Sequence, residues 1–429
     1  MYLFAIATLM PVTLFAVGAA LGGLWALAAL AYMTVFVFVM DERVAYAGGA
    51  AQEGAEFPAA DRLSILLGGM HFALLLLAIA AVGGATGLGW GARIALFMAF
   101  GLYFGQVSNS NAHELIHRSR RGLFRLGMWI YISLLFGHHT SAHRHIHHRF
   151  VGTVDDPNTA VLGQGFYAFA PQAWWGSFRA GAEIETALRK SRRADVGPHP
   201  YAIYLGGALA CLLLVAALFG LGGVVSYLLL AAYAQMQLLV SDYVQHYGLE
   251  RRRERHGRTQ AVGPGHSWNA PHWYSGAMML NAPRHSAHHQ HPGTPFPGLA
   301  LPARGAAPML PFSLPVMGAI ALFPPLWRRM MDKRVERWRA KAPPPPPAVP
   351  EPVVSGRASG RPRPVAVPTA PAIAKRKPRS VAANAPQTGD RGTDAPAPEA
   401  RAKTTAPAAE GMVIAEAVAR TMRSETETG

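Results

Sequence analysis

Six apolar stretches, each close to the length of a membrane crossing, limit what this chain can become. They are Tyr2–Ala20, Leu24–Met40, Leu63–Val82, Ala92–Val107, Ile203–Leu221 and Val224–Val240. A helix needs about 20 residues to cross a hydrocarbon core roughly 30 Å thick, and the shorter stretches reach that length through neutral flanks. Composition agrees: 51% of the 429 residues are hydrophobic and 15% charged, too apolar a balance for an ordinary soluble protein. The predicted fold is all-α, a polytopic membrane protein with six transmembrane helices. The first stretch lacks a basic leader and runs through Gly22-Gly23 into the second, which predicts a helical hairpin in place of a cleaved signal peptide.

A seventh apolar segment, Leu123–Gly137, has 15 residues and as a helix reaches only about 22 Å. It is expected to lie at the interface or to pack against the polar part of the protein. If it crossed, it would divide the histidines described next between the two sides of the membrane.

Histidine is concentrated just beyond the apolar stretches. Thirteen of the 18 histidines fall in 113–148, at 246 and in 285–291, too dense for chance helix capping. The motifs are His113-Glu-Leu-Ile-His117, His143-xxx-His147-His148, His246 in Gln245-His246-Tyr247-Gly248, and His285-xx-His288-His289. Imidazole is the commonest protein ligand of transition metals, and spacings of three and four place two rings on one helix face. Nine such histidines exceed what one tetrahedral site uses, so they predict two metal ions with an almost all-nitrogen shell. His71, His199, His256, His266 and His272 lack ligand spacing and are expected in surface or packing roles.

Charge orients the predicted bundle. Arg118, Arg120, Arg121, Arg189, Lys190, Arg192, Arg193 and Arg251–Arg253 flank the histidine segments, whereas the opposite turns hold little beyond Arg93. The histidine face and both termini are therefore predicted to be cytoplasmic. The net charge of +16 comes with no recognised nucleic-acid motif and is read as juxtamembrane anchoring, with attraction of an acidic protein partner second. Only Cys211 is present, mid-span, which excludes an internal disulfide and a fused Cys-x-x-Cys iron module. Electrons for any redox chemistry must come from another protein. The expected organisation is a transmembrane domain over 1–340, with cytoplasmic histidine-bearing segments 111–200 and 245–340, and a Pro/Ala-rich disordered tail over 341–429.

His113-Glu-Leu-Ile-His117 alone fits a zinc protease, in which two histidines bind zinc and the glutamate activates water. That reading leaves Gln245-His246-Tyr247-Gly248 and both His-His pairs unused. A noncatalytic metal-handling membrane protein is a second alternative.

Together the motifs resemble a family. His113–His117, Ala142–His148, Asp242–Gly248 and Arg284–His289 are similar to the three histidine boxes and the His-Tyr-Gly motif of the membrane-bound alkane 1-monooxygenases, within the fatty acid desaturase and hydroxylase superfamily. Thr153–Pro157, His266–Asn269 and Phe323–Trp327 extend the likeness over roughly Met1 to Arg339.

The resemblance implies a di-iron centre, two iron ions, that uses O2 to hydroxylate the terminal carbon of a medium- or long-chain alkane. It implies rubredoxin as electron donor, itself reduced by an NAD(P)H-dependent reductase, and a multi-pass protein of the cell inner membrane. It implies His113, His117, His143, His147, His148, His246, His285, His288 and His289 as metal ligands, with His138, His139, His145 and His291 in the outer shell or at the surface. Lipid acyl-chain hydroxylation or desaturation is the nearest alternative in the superfamily. Where the family usually carries carboxylates, this chain has Ala142, Gln245 and Ala287. Carboxylates orient ligand imidazoles, so that role passes to Asp155, Asp156, Asp242, Glu114 or Glu250. An apolar substrate must be oriented by a narrow channel, and Tyr32, Met33, Phe36 and Phe38 on the second span are the expected depth-setting residues, with only one side of that helix able to face inward.

Overall fold

The computed structural model describes residues 1–44, 57–191, 197–252 and 259–341. The expected tail beyond Lys341 lies outside the described residues, as do Arg192, Arg193, Arg253 and His256.

The long apolar runs are helical, as the pairing of backbone groups in lipid demands. In chain order the helices are α1 (Tyr2–Leu21), α2 (Gly23–Arg43), α3 (Pro58–Gly83), α4 (90–116), α5 (Arg121–Ser133), α6 (139–150), α7 (Phe166–Ser191) and α8 (Pro200–His246). There follow α9 (Trp273–Met278), α10 (His285–Gln290), α11 (Leu314–Ala321) and α12 (Pro324–Lys341). Among the described residues, four helices are long and apolar enough to cross a membrane: α1, α2, α3 and α8. The fifth and sixth predicted spans both lie in α8, which breaks at Gly220 with φ 60° and ψ −158°, a conformation open to glycine. The fourth predicted span is helical inside α4, but α4 carries Arg93 and Gln106 and is not one of the four.

Helix α8 is the hub of the bundle, packing against α3, α4, α5, α7 and α11. The short α5 is packed, as expected of Leu123–Gly137. It lies against α3, α4 and α8 with Leu123, Ile130, Tyr131 and Ile132 buried. Its C-terminal end is held by polar groups inside the bundle: His71 on α3 bonds the Ser108 hydroxyl through Nδ1 and the Ser133 hydroxyl through Nε2, each at 2.9 Å. Tyr227 donates to the Ser133 carbonyl at 2.6 Å. His71 thus has a packing role in which both ring nitrogens are satisfied.

Three π-turns interrupt these helices among the described residues: Tyr32–Phe36 in α2, Phe104–Ser108 in α4 and His143–His147 in α6. Each shifts the face that follows it, and such turns cluster at functional sites.

Candidate metal centre

All nine histidines singled out in the sequence converge. They form two groups, His113, His117, His143, His148 and His288 in one, and His147, His246, His285 and His289 in the other. Within each group the candidate ligand atoms lie within 4.8 Å of one another. The Nε2 atoms of His113 and His143 are 2.7 Å apart, those of His143 and His148 2.9 Å, and those of His148 and His288 3.0 Å. In the second group His246–His285 is 3.0 Å and His285–His289 3.1 Å.

The π-turn in α6 divides the second histidine box between the groups. An α-helix would align residues four apart, which holds for His113 with His117 and for His285 with His289. Across His143–His147 the wider turn instead brings His143 together with His148, five residues on, and sends His147 to the other group. The sequence spacing alone pairs His143 with His147, so here the expected face is corrected by local backbone geometry.

Hydrogen bonds cannot account for this arrangement. A neutral imidazole offers one donor and one acceptor, yet His143 Nε2 faces two other Nε2 atoms and His148 Nε2 also faces two. His117 Nε2 and His147 Nε2 are buried without a partner. Metal ions fit the donors: with metal–nitrogen bonds near 2.1 Å, neighbouring ligand atoms sit about 3 Å apart. Burial also favours, in most of these rings, the uncharged form that ligation requires. Burial, reinforced by His147, lowers the pKa of His113 to about 3. Burial and neighbouring imidazoles hold His117, His143, His148, His285, His288 and His289 well below the usual range. His147 differs: burial works against its charge, but the Asp156 carboxylate raises its pKa.

Of the five carboxylates considered for orienting the rings, Asp156 does so directly. Its Oδ2 accepts from His147 Nδ1 at 2.8 Å and from the Thr159 hydroxyl at 2.7 Å. Asp242 instead accepts from the Asn158 amide at 2.6 Å, and Glu250 pairs with Arg339. Glu114 pairs with Arg118 and accepts from the Phe296 N–H at 3.0 Å. Burial, countered in part by Arg118 and that N–H, raises its pKa to about 7. Where carboxylates are missing, ring nitrogens lack partners: the Nδ1 atoms of His143 and His289 are buried and unbonded, next to Ala142 and within two residues of Ala287. Gln245 spans Ser241 and the Ala282 carbonyl.

The remaining motifs lock these pieces together. In His-Tyr-Gly, His246 Nδ1 lies 3.3 Å from the His266 carbonyl, and Tyr247 donates to Asp332 of α12 at 2.6 Å. Gly248 has φ 67°, and a Cβ there would meet Val335 at 2.8 Å, so α12 requires glycine at this point. Trp268 donates to the Tyr247 carbonyl at 3.0 Å. Asn269 clamps the third box, donating to the Ser286 hydroxyl at 2.7 Å and accepting from its N–H at 3.0 Å. Trp327 is fully buried against Tyr243 and Tyr247. His138 and His139 are buried around the centre, His139 near the His143 ring, whereas His145 lies 3.8 Å from Glu185 and His291 is exposed.

A cavity of about 370 Å³ reaches the histidines. Its inner end touches His113, His143 and His285, and its walls come from α2, α4, α8 and α11. All three π-turns contribute lining: Met33 and Thr34, Gly105 and Gln106, and His143. Phe38 and Met236, 44% and 43% exposed, are among its lining residues, so the cavity reaches the surface beside apolar groups. Of the residues expected to set its depth, Met33 and Phe38 line it, whereas Phe36 stacks outside it on Tyr32. Tyr32 bonds the Tyr274 hydroxyl at 2.5 Å. The α8 and α4 wall went unread in the sequence, where the signal was the glycine pair Gly101 and Gly105, one helical turn apart.

Comparison with known proteins agrees with this site. The fatty acid desaturase family model matches residues 88–321. The alkane 1-monooxygenase of Acinetobacter baylyi is 32% identical over 246 residues, 57% of this chain and 59% of that protein. The alkane 1-monooxygenase of Pseudomonas putida is 30% identical over 277 residues, 63% of this chain and 66% of that one. The xylene/toluene monooxygenase hydroxylase component of Pseudomonas putida is 29% identical over 234 residues, 52% of this chain and 58% of that one. The aligned region thus covers less than two thirds of each of these relatives. With more than half its length matched by the family model and every histidine box gathered at one centre, the chain belongs to the fatty acid desaturase family, and the relatives it resembles there are alkane 1-monooxygenases.

Proposed function

We propose that the protein is an integral-membrane di-iron monooxygenase that hydroxylates the terminal carbon of medium- or long-chain alkanes with O2 and electrons from rubredoxin, reduced in turn by an NAD(P)H-dependent reductase. The observation that carries this reading is the junction of a mostly apolar cavity, exposed at Phe38 and Met236, with two groups of five and four histidines. Bound iron would supply the O2 activation that attack on an unactivated C–H bond requires. His113, His117, His143, His148 and His288 hold one ion in this reading, and His147, His246, His285 and His289 the other. Asp156 fixes the His147 ring so that Nε2 points to its ion. Met33, Val37 and Leu238 confine an alkyl chain so that only its end meets His113, His143 and His285. Lone Cys211 leaves electron supply to a separate protein.

We read α8 as two crossings joined at Gly220 and α4 as a further one, which makes six spans in the cell inner membrane with the histidines and both termini cytoplasmic. The domain then ends near residue 340, followed by the tail. The engagement of Glu114 by Arg118 and Phe296 leaves the zinc-protease alternative without its water-activating group. Acyl-chain hydroxylation draws support from the amides of Gln106 and Gln237 in the cavity wall. Elemental analysis of the purified protein should give two irons per chain, and incubation with n-alkanes under labelled O2 should give terminal alcohols carrying one labelled oxygen. One zinc and no iron would overturn the di-iron reading, and label appearing only in acyl lipids would move the substrate to the alternative.

A further inference from the structure

Along α4 and α8 the lining of the cavity ends at a residue pair, one on each helix. On α8 the lining residue farthest in sequence from His246 is Tyr233, thirteen positions away, and on α4 the one farthest from His113 is Leu102, eleven away. At 1.5 Å per residue these separations are about 20 and 16 Å along the helices. The Tyr233 ring lies across α4 at Gly101, where an added Cβ would fall 1.9 Å from Cδ1 and 2.4 Å from Cε1. Any larger residue at 101 must push the ring away. Behind it Phe97 packs at a centroid distance of 5.5 Å, so the ring has support on the side away from the cavity. One turn nearer the histidines the pattern repeats, with Gln237 over Gly105 at 2.4 Å from an added Cβ.

We propose that Tyr233, seated on Gly101, closes the far end of the cavity and sets the longest alkyl chain the protein accepts. The inference rests on the alkane reading and assigns the limit to the α4–α8 wall, separate from the α2 residues. Tyr233 makes no hydrogen bond to a described residue through its hydroxyl, so ring volume is the operative property.

Substitutions on the two sides of this contact should act in opposite directions. Tyr233→Ala opens the end and moves the accepted range toward longer n-alkanes. Gly101→Ala displaces the ring into the cavity and moves the range toward shorter ones. Tyr233→Phe leaves it unchanged. The range is read twice: as alkane retained by the purified protein after equilibration with a graded series, measured by gas chromatography, and as terminal-alcohol yield across the same series, with metal content measured alongside. If Gly101→Ala does not accumulate in the membrane, Tyr233→Trp supplies the narrowing. A wild-type protein that neither retains nor oxidises any alkane overturns the alkane reading and this inference with it. If the wild type does both and neither opening nor narrowing moves the range at normal metal content, Tyr233 is not the stop.

Discussion

Asp156 shows how much one side chain carries in orienting a ring of the centre. It is 3% exposed and accepts from His147, Thr159 and the Asn158 N–H, so its position is fixed before any ion binds. Removing a partner of this kind costs a metal site about 10–100-fold in affinity. Asp156→Ala should therefore lose one metal per chain during a chelator challenge that the wild type survives, while the group containing His113 keeps its ion. Loss of both ions together would mean that the two sites assemble as a unit. The sequence narrowed this role to five acidic residues but could not choose among them. The choice depends on a loop that folds Asp156 back onto His147, nine positions earlier, and on Arg118, Arg339 and Asn158 occupying three of the others.

Helix identity was readable from the apolar runs, and the convergence of nine histidines from their spacing. What the runs could not convey was where a helix changes pitch. The π-turn at His143–His147 reverses the partner of His143, and no propensity marks it; α6 packs there against α7. The π-turn in α2 has a similar effect on the cavity: Met33 is 2% exposed and lines it, whereas Phe36, 38% exposed, is turned out. Met33→Ala should broaden the cavity beside its α2 wall and raise the yield from branched, bulkier alkanes, with Phe36→Ala matching the wild type. Equal profiles for both variants across a set of linear and branched alkanes would remove α2 from substrate selection.

At the scale of the whole molecule, the described fold closes on itself at α12. Trp338 donates to the Gly265 carbonyl at 3.0 Å and Arg339 to the Gly248 carbonyl at 2.9 Å, so the last described helix braces both the His-Tyr-Gly turn and the segment before α9. A chain truncated after Lys341 should keep its metal content and its membrane insertion, measured by elemental analysis of the solubilised protein. A drop in iron would make residues 342–429 part of the metal-binding fold. The same brace reaches the histidine centre: Trp327 and Asp332 hold the Tyr residues that precede and follow the metal-facing turn of α8.

If the protein takes alkanes from the bilayer as proposed, the opening beside Phe38 and Met236 changes what counts as substrate concentration. A cavity entered sideways samples solute dissolved in the surrounding lipid, so the governing variable is a mole fraction within the bilayer. Under that regime adding inert phospholipid at constant total alkane thins the reactant in two dimensions and slows turnover, although the amounts of protein and alkane are unchanged. Saturation would then track the ratio of alkane to lipid, and a cell that expands its membrane would retune the enzyme without altering a single residue.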